Sequence, residues 1–191
     1  MLNKKLFRDI KNNTSQFITI FLMILIGVMA YSGIKAYMDG MTDTSNRFYS
    51  HNNLQDINVI GTNFTTDDID NIKNIKHVKN AERKLELPVV DSKNKKVSYL
   101  LTVIESNEIS KFEVVAGEKF NASKKGIWID KYHADKANIK VGDSISFKYE
   151  NYEWNEKVLG IIFIPDHVYT VKDSSQLYPN YDDYGLIYMS Y

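Results

Sequence analysis

The stretch FITIFLMILIGVMAY, residues Phe17–Tyr31, decides how this chain is organised, because it is almost wholly apolar. No charged residue occurs from Asn12 to Ile34, and the apolar character extends to Met38. A helix over residues 17–38 would be about 33 Å long at ~1.5 Å per residue, and the hydrocarbon core of a bilayer is ~30 Å thick. The sequence therefore predicts one transmembrane helix over residues 17–38.

The residues on either side of this span predict its orientation. Four bases and one acid precede it, namely Lys4, Lys5, Arg8, Lys11 and Asp9. Basic flanks stay in the cytoplasm, so residues 1–16 are expected to be a cytoplasmic segment, with everything after Met38 outside. The segment is amphipathic, with Leu2, Leu6, Phe7 and Ile10 on one helical face. It either lies on the inner membrane surface or is only the charged flank of the span.

A cleaved signal peptide is the alternative interpretation of the same stretch. Val28, Met29 and Ala30 offer a small-residue cleavage site behind a basic start. The apolar segment is longer than a signal peptide needs, however, and the helical pattern continues through Ile34 to Met38. These features favour a retained membrane helix and a protein of the cell membrane.

Small residues recur every fourth position at the outer end of the span, at Ser32, Ala36 and Gly40. This spacing forms a helix-packing face that lets another helix approach closely. The helix is therefore expected to have a neighbouring helix. No proline follows, so we expect the helix to continue as a stalk over residues 39–50.

Residues 51–191 are expected to form an extracytoplasmic α+β domain, because strand patterns and short helical patterns alternate irregularly. Predicted strands are 56–61, 82–90, 97–104, 126–129, 141–147 and 156–164, and predicted helices begin at Thr65 and Asp130. Pro88 indicates that strand 82–90 is locally an edge strand. The first two strands after the Thr65 helix are expected to form a hairpin.

Composition and motif searches argue against an enzyme. The net charge is zero, so nucleic acid is not an indicated partner, and there is no cysteine. No phosphate-binding, dinucleotide-binding, zinc-protease or hydrolase motif occurs. We therefore predict no catalytic residue, no metal ligand and no cofactor. The four histidines are expected at the surface, namely His51, His77, His133 and His167.

Three further patterns have structural interpretations. In the run KVLGIIFIPDHVY, residues 157–169, Asp166 beside His167 could begin an active site, but no nucleophile or third group is evident. We expect Val158–Ile164 to be a buried strand ended by Pro165, with Asp166 and His167 facing solvent. Tyrosines crowd the end of the chain, at 169, 178, 181, 184, 188 and 191, and core and rim packing is favoured over a contact surface. The acid pairs 67–68 and 182–183 are expected to make local hydrogen bonds.

Three short elements occur in a fixed order in the external part. The first is IDKYHADKANIKVGDSISF (129–147), which contains Ala134, Asn138, Val141, Gly142 and Asp143. The second, around Val158, Gly160 and Ile161, ends in the turn at Pro165, and the third contains Pro179, Tyr184 and Gly185. With the basic start and apolar span, this order resembles the first membrane helix and first extracellular segment of FtsX/MacB-like ABC transporter permeases. The turn 164–167 departs from the Ser-Pro-Glu-Tyr type of that family.

The resemblance implies a domain like the MacB periplasmic core domain, and a non-enzymatic permease subunit. Its partners would be a separate cytoplasmic ABC ATPase, the lipid bilayer, and other permease helices or a second permease copy. Motion driven by the ATPase would be transmitted through the stalk to the external domain. The family carries more membrane helices and a longer external domain, so the chain is expected to be a truncated or partial permease with an incomplete domain. The alternative function is a membrane-anchored or secreted extracellular binding module.

Overall fold

A computed structural model describes residues 2–167, 169–173 and 175–191. The side chains of Leu2, Asn3 and Leu6 lie outside this description, and with them part of the predicted apolar face. The chain divides into two compact units, the first ending at Arg47 and the second comprising Phe48–Tyr191.

The first unit contains two helices, α1 (Leu2–Asn12) and most of α2 (Thr14–His51). With 38 residues, α2 is about 57 Å long at ~1.5 Å per residue. Its most apolar stretch of 18 residues has a mean hydropathy of 2.3 and none of it is buried. By length and composition α2 can therefore cross a membrane. A signal sequence at the N-terminus would meet the same two criteria.

Among the residues that the structure describes, the second unit contains seven strands and two short helices after the end of α2. In chain order they are α3 (Thr66–Lys73), β1 (Lys84–Asp91), β2 (Ser98–Ile104), β3 (Glu113–Gly117), β4 (Ile127–Asp130), α4 (Lys131–Ala137), β5 (Ser144–Tyr149), β6 (Tyr152–Phe163) and β7 (Tyr184–Ser190). A long apolar helix followed by a mixed α+β domain confirms the predicted fold class.

The strands form one sheet in the order β3-β6-β4-β7-β2-β1-β5. β5 also pairs with β6, so the pairings close a ring of six strands, with β3 added at β6. β2 with β7 and β4 with β6 are the parallel pairs, and the other pairs are antiparallel. β6 is the longest strand because its first half pairs with β5 and its second half with β3 and β4.

The core lies where the inward-facing residues of the strands meet. Glu156, Val158, Gly160 and Ile162 alternate as the buried positions of β6, which is the period-two pattern of a strand with one covered face. One cluster surrounds Tyr99, Phe147 and Ile187, and a second surrounds Phe112 and Trp128. α4 packs on β4, β6 and β7 through its buried residues His133 and Ala134.

The structure agrees with most predicted strands to within a few residues and corrects others. Residues 56–61 were expected to be a strand, but they form neither strand nor helix, although Ile57, Val59 and Ile60 have strand-forming side chains. Strand propensity alone cannot form a strand, because backbone groups need a partner. The sequence also missed β3 and β7, and the predicted strand at 141–147 begins only at Ser144.

Three local predictions hold. Thr65 caps α3 and forms a capping box with Asp68, so Asp68 of the acid pair 67–68 makes the expected local hydrogen bonds. β1 and β2 form the expected antiparallel hairpin. Pro88 is exposed and pairs with Leu100 of β2 on one side, while β5 pairs with β1 only at Val90 and Asp91, so Pro88 lies on a free edge.

Candidate functional site

The C-terminal end of α2 is fastened by its own cap. Asn52, only 2% exposed, donates to the carbonyl of Phe48 from both its backbone N–H, at 3.0 Å, and its side-chain Nδ2, at 2.9 Å. Asn53 follows with φ of 48°, a left-handed conformation that asparagine tolerates well at helix ends. The Leu54 N–H then donates to Tyr49 O at 3.0 Å. The helix therefore ends at a fixed point rather than fraying.

The same residues are tied to the loop that connects β2 and β3. Ser110 N–H donates to the Asn53 carbonyl at 2.9 Å, and Lys111 N–H donates to the Asn52 carbonyl at 2.8 Å. In addition, the Asn53 Nδ2 donates to Glu108 O at 3.1 Å, and Ser110 Oγ accepts from the Gln55 N–H at 3.2 Å. We call this set of four hydrogen bonds, between residues 52–55 and 108–111, the helix clamp.

The loop side of the helix clamp is itself braced against the core. The side chain of Asn107 accepts from the Phe112 N–H at 2.9 Å and donates to the Phe112 carbonyl at 3.2 Å. The Phe112 ring is 2% exposed and contacts Tyr188 edge-on, with 5.3 Å between ring centroids. Hydrogen bonds and ring packing therefore connect residues 52–55, through residues 107–112, to the aromatic core of the sheet.

The first family-signature element forms the connection between α4 and β5. Asn138 ends α4 in the left-handed conformation, with φ of 54°. Gly142, with φ of 98°, donates to Val158 O at 2.8 Å, and the Val158 N–H donates to Asp143 O at 2.8 Å. The Asp143 carboxylate accepts from the Lys140 N–H at 2.8 Å. These contacts fix β5 beside β6.

The other signature residues differ in burial. Ala134 is fully buried, and Pro165 is buried just beyond the end of β6. Val141 is 42% exposed. Pro179 is partly buried in the segment before β7, and Tyr184 is the first residue of that strand.

Two signature glycines lie directly beneath buried rings. A Cβ on Gly160 would meet Trp128 Cδ1 at 2.7 Å, and one on Gly185 would meet His133 Cγ at 2.7 Å. Larger side chains at either position would push these rings out of the core. The glycines are therefore needed for close packing rather than for a special backbone angle.

Asp130 and His133 are buried and connect α4 to β7 through hydrogen bonds. Asp130 accepts from the His133 N–H and from the Leu186 N–H, each at 2.9 Å. The His133 ring Nδ1 lies 2.7 Å from Tyr181 O, and the residue is 0% exposed, so the prediction of a surface histidine is wrong here. Asp130 was recognised as a helix start, but its capping bond uses the backbone N–H of His133, so no local signal predicted the burial of the ring. Burial raises the pKa of Asp130, and the hydrogen bonds from His133 and Leu186 oppose that rise.

The turn after β6 differs from expectation at one residue. Asp166 was expected to face solvent, but its side chain is only 6% exposed. Its carboxylate lies 3.0 Å from His167 Nδ1 and 3.7 Å from Lys84 Nζ, which reaches across from β1. Burial alone would raise the pKa of Asp166, but the hydrogen bond and charge of His167, together with Lys84, lower it overall. Asp166, His167 and Lys84 form an ion cluster that holds the turn after β6 against β1.

The remaining predicted features lie apart from the helix clamp. Ala36 and Gly40 line a shallow groove on α2 together with Tyr37 and Met41, and Ser32 is also exposed. Within residues 2–167, 169–173 and 175–191, no three His, Asp or Glu side chains converge as a metal site would require. The late tyrosines divide between core positions, such as Tyr188, and exposed ones, such as Tyr178.

Comparison with known protein families gives one match. A model of the MacB-like periplasmic core domain matches residues 17–189, which include the apolar span and almost all of the sheet. No curated protein matches the chain.

Proposed function

Because this chain belongs to the family of the MacB-like periplasmic core domain, we propose that it is the membrane subunit of an FtsX/MacB-type ABC transporter. Its mixed α+β part is an extracellular domain of the ABC-transporter permease type. In the proposed mechanism, a separate cytoplasmic ATPase moves the membrane helices when it binds and hydrolyses ATP. α2 carries that motion outward, and the external domain responds.

The helix clamp is the observation that supports this proposal most strongly. The last turn of α2, from Phe48 to His51, belongs to the same compact unit as the sheet. Hydrogen bonds of 2.8 to 3.2 Å hold the residues that follow it against the loop 108–111. A helix that ended in a flexible linker would lose its motion before the domain could respond. A helix that ends in a short, hydrogen-bonded connection passes it on.

The predicted helix-packing face supplies the site for a neighbour in the membrane. Ser32, Ala36 and Gly40 are all exposed, and nothing lies within 4 Å of a Cβ placed on Gly40. Van der Waals packing on small residues drives helix association in lipid, where burial of apolar side chains gives no advantage. We propose that another permease helix, or the α2 of a second copy, packs there.

The basic residues before the span support an orientation with the N-terminus in the cytoplasm and the domain outside. That orientation places residues 1–16 on the side of the ATPase. It also places the stalk, residues 39–50, and the domain, residues 51–191, in the extracytoplasmic space.

The experiment measures coupling across the helix clamp. The full chain is purified together with an ABC ATPase that binds it, in nanodiscs, and amide hydrogen exchange of the domain is compared with and without ATP. The double variant Asn53→Ala, Ser110→Ala removes two side-chain contacts of the clamp, whereas Ser123→Ala, Asn151→Ala changes the same residue types at exposed positions.

We expect ATP to change exchange at Ser110 and Lys111 in the wild type and in the control. The clamp variant should lose at least about half of that change while the complex still hydrolyses ATP, since each removed hydrogen bond contributes ~1 kcal/mol. ATP hydrolysis by the chain alone, failure to bind any ABC ATPase, or an unchanged response of the clamp variant would each contradict the proposal. Failure to bind an ATPase would favour the extracellular binding module instead.

A further inference from the structure

The helix α1 has a charge distribution that the coupling proposal does not use. At ~100° per residue its four bases, Lys4, Lys5, Arg8 and Lys11, fall within an arc of about 120°. The structure places all four at exposed positions. Asp9 is the one acidic residue in the helix, so α1 has a strongly positive face.

The opposite side of α1 is apolar. Phe7 is 74% exposed and Ile10 lies on the same side, with nothing of the first unit covering the ring of Phe7. A basic face opposite an apolar face is the arrangement of helices that lie in the plane of a membrane surface.

The junction between α1 and α2 allows the two helices to take different directions. The α-helical assignment is interrupted at Asn13. The Thr14 hydroxyl donates to the carbonyls of Ile10, at 3.1 Å, and Lys11, at 2.9 Å, two carbonyls that an unbroken helix would give to backbone amides. Side-chain insertion into the hydrogen-bond ladder is an established cause of helix bending.

The junction also keeps α1 at the membrane. Only Asn13 separates it from α2, and the apolar span begins at Phe17, about one helical turn further on. The cations of α1 are therefore held close to the lipid headgroups whatever the direction of its axis. The attachment to α2 raises the effective concentration of α1 at the lipid surface. α1 can therefore bind lipid headgroups that a free helix of the same length would bind only weakly.

We propose that α1 is an anionic-lipid-binding helix: Phe7 enters the headgroup region while Lys4, Lys5, Arg8 and Lys11 contact the phosphates of acidic phospholipids in the inner leaflet. This inference rests on the membrane orientation in the proposed function, but it needs no ATPase. The contact would hold the cytoplasmic end of α2 at a fixed depth, so that motion of α2 is defined relative to the bilayer.

The test uses the full chain, whose lack of cysteine permits single labelling sites. Phe7→Cys carries an environment-sensitive dye in nanodiscs of zwitterionic lipid alone, or with about one third phosphatidylglycerol, and spin-labelled lipids report depth. As a control, Asn12→Cys places the same dye on the basic side of α1 without removing a cation. The charge variant replaces all four bases of α1 with glutamine, and a control charge variant replaces Lys93, Lys95 and Lys96 of the β1–β2 turn with glutamine.

We expect the dye at position 7 to be shielded and quenched at headgroup depth in the anionic nanodiscs, and the dye at position 12 to remain more exposed to water. Each removed cation should lower the ratio of docked to free α1 by about fivefold, the equivalent of ~1 kcal/mol. The control charge variant should behave as the wild type. Equal depth in both lipids, or a water-like dye at position 7 in both, overturns the proposal. Dye shielding and quenching depth are both measured without an ATPase. A failure of lipid binding by α1 can therefore be told apart from a failure of the permease assignment.

Discussion

Gly185 lies under the ring of His133, where α4 meets β7. A Cβ there would lie 2.7 Å from Cγ and 2.9 Å from Cδ2 of that ring, and the ring cannot move away because Nδ1 is held by the Tyr181 carbonyl. We expect Gly185→Ala to destabilise the domain by about 1–3 kcal/mol, the usual cost of overpacking a core. Denaturant unfolding of the full chain in detergent, followed by tryptophan fluorescence, measures the change.

Gly61→Ala is the matched control for this substitution. Its new Cβ would approach the far end of the Phe64 ring at 2.8 Å, but that side chain is 38% exposed and can turn aside. Its stability should stay within about 0.5 kcal/mol of the wild type. If Gly185→Ala were as stable as Gly61→Ala, the packing of His133 against β7 would be wrong.

The lowered pKa of Asp166 predicts that part of the domain's stability is lost in acid. Its folded-state pKa is lowered, so its contribution is fully present above the unfolded value of about 3.9 and is lost as the pH falls through the folded value. The free energy of unfolding of wild type minus that of Asp166→Asn should therefore be smaller at pH 3 than at pH 5. Chemical denaturation from pH 3 to pH 7 gives both curves. A difference that grows on acidification would contradict the ion cluster with His167 and Lys84.

The segment 56–61 combines a strand-forming sequence with an absence of strand pairing in the part of the chain that the structure describes. Ile57 is 81% exposed and Ile60 is 92% exposed. Without ladder hydrogen bonds, the amides of residues 57–60 should exchange within about tenfold of an unstructured peptide, while those of β2 exchange far more slowly. Hydrogen exchange of the full chain resolves the two segments. Protection of residues 57–60 comparable to β2 would mean that this segment has a strand partner.

The elements show which parts of the fold a single sequence can specify. α2, the capped start of α3 and the β1–β2 hairpin follow from local signals, namely apolar length, the Thr65–Asp68 spacing and alternation around a turn. β3 and β7 were missed because their pairing depends on distant strands, β6 for one and β2 with β4 for the other. The strand predicted at residues 56–61 was wrong for a related reason. Their side chains favour a strand, but among the described residues no other strand pairs with them.

The candidate site was less predictable than the fold. The helix clamp depends largely on backbone groups of residues 52–53 and 110–111, which are 55 or more positions apart and carry no motif. The consecutive asparagines after α2 were its one local signal, because asparagine accepts the left-handed conformation at helix ends. The burial of His133 and Asp166 likewise became visible only with the packing of α4 and β1 around them.

For the molecule as a whole, the proposed permease function requires that α2 remains in the bilayer, with residues 1–16 inside the cell and the domain outside. Single cysteines at Asn12 and at Lys95, both exposed, can be tested in intact cells with a membrane-impermeant maleimide. We predict that Lys95→Cys is labelled from outside, that Asn12→Cys is labelled only after the cells are permeabilised, and that both proteins resist extraction by alkaline carbonate. Labelling of Asn12→Cys in intact cells, protection of Lys95→Cys, or release of the full-length chain by carbonate would contradict the account.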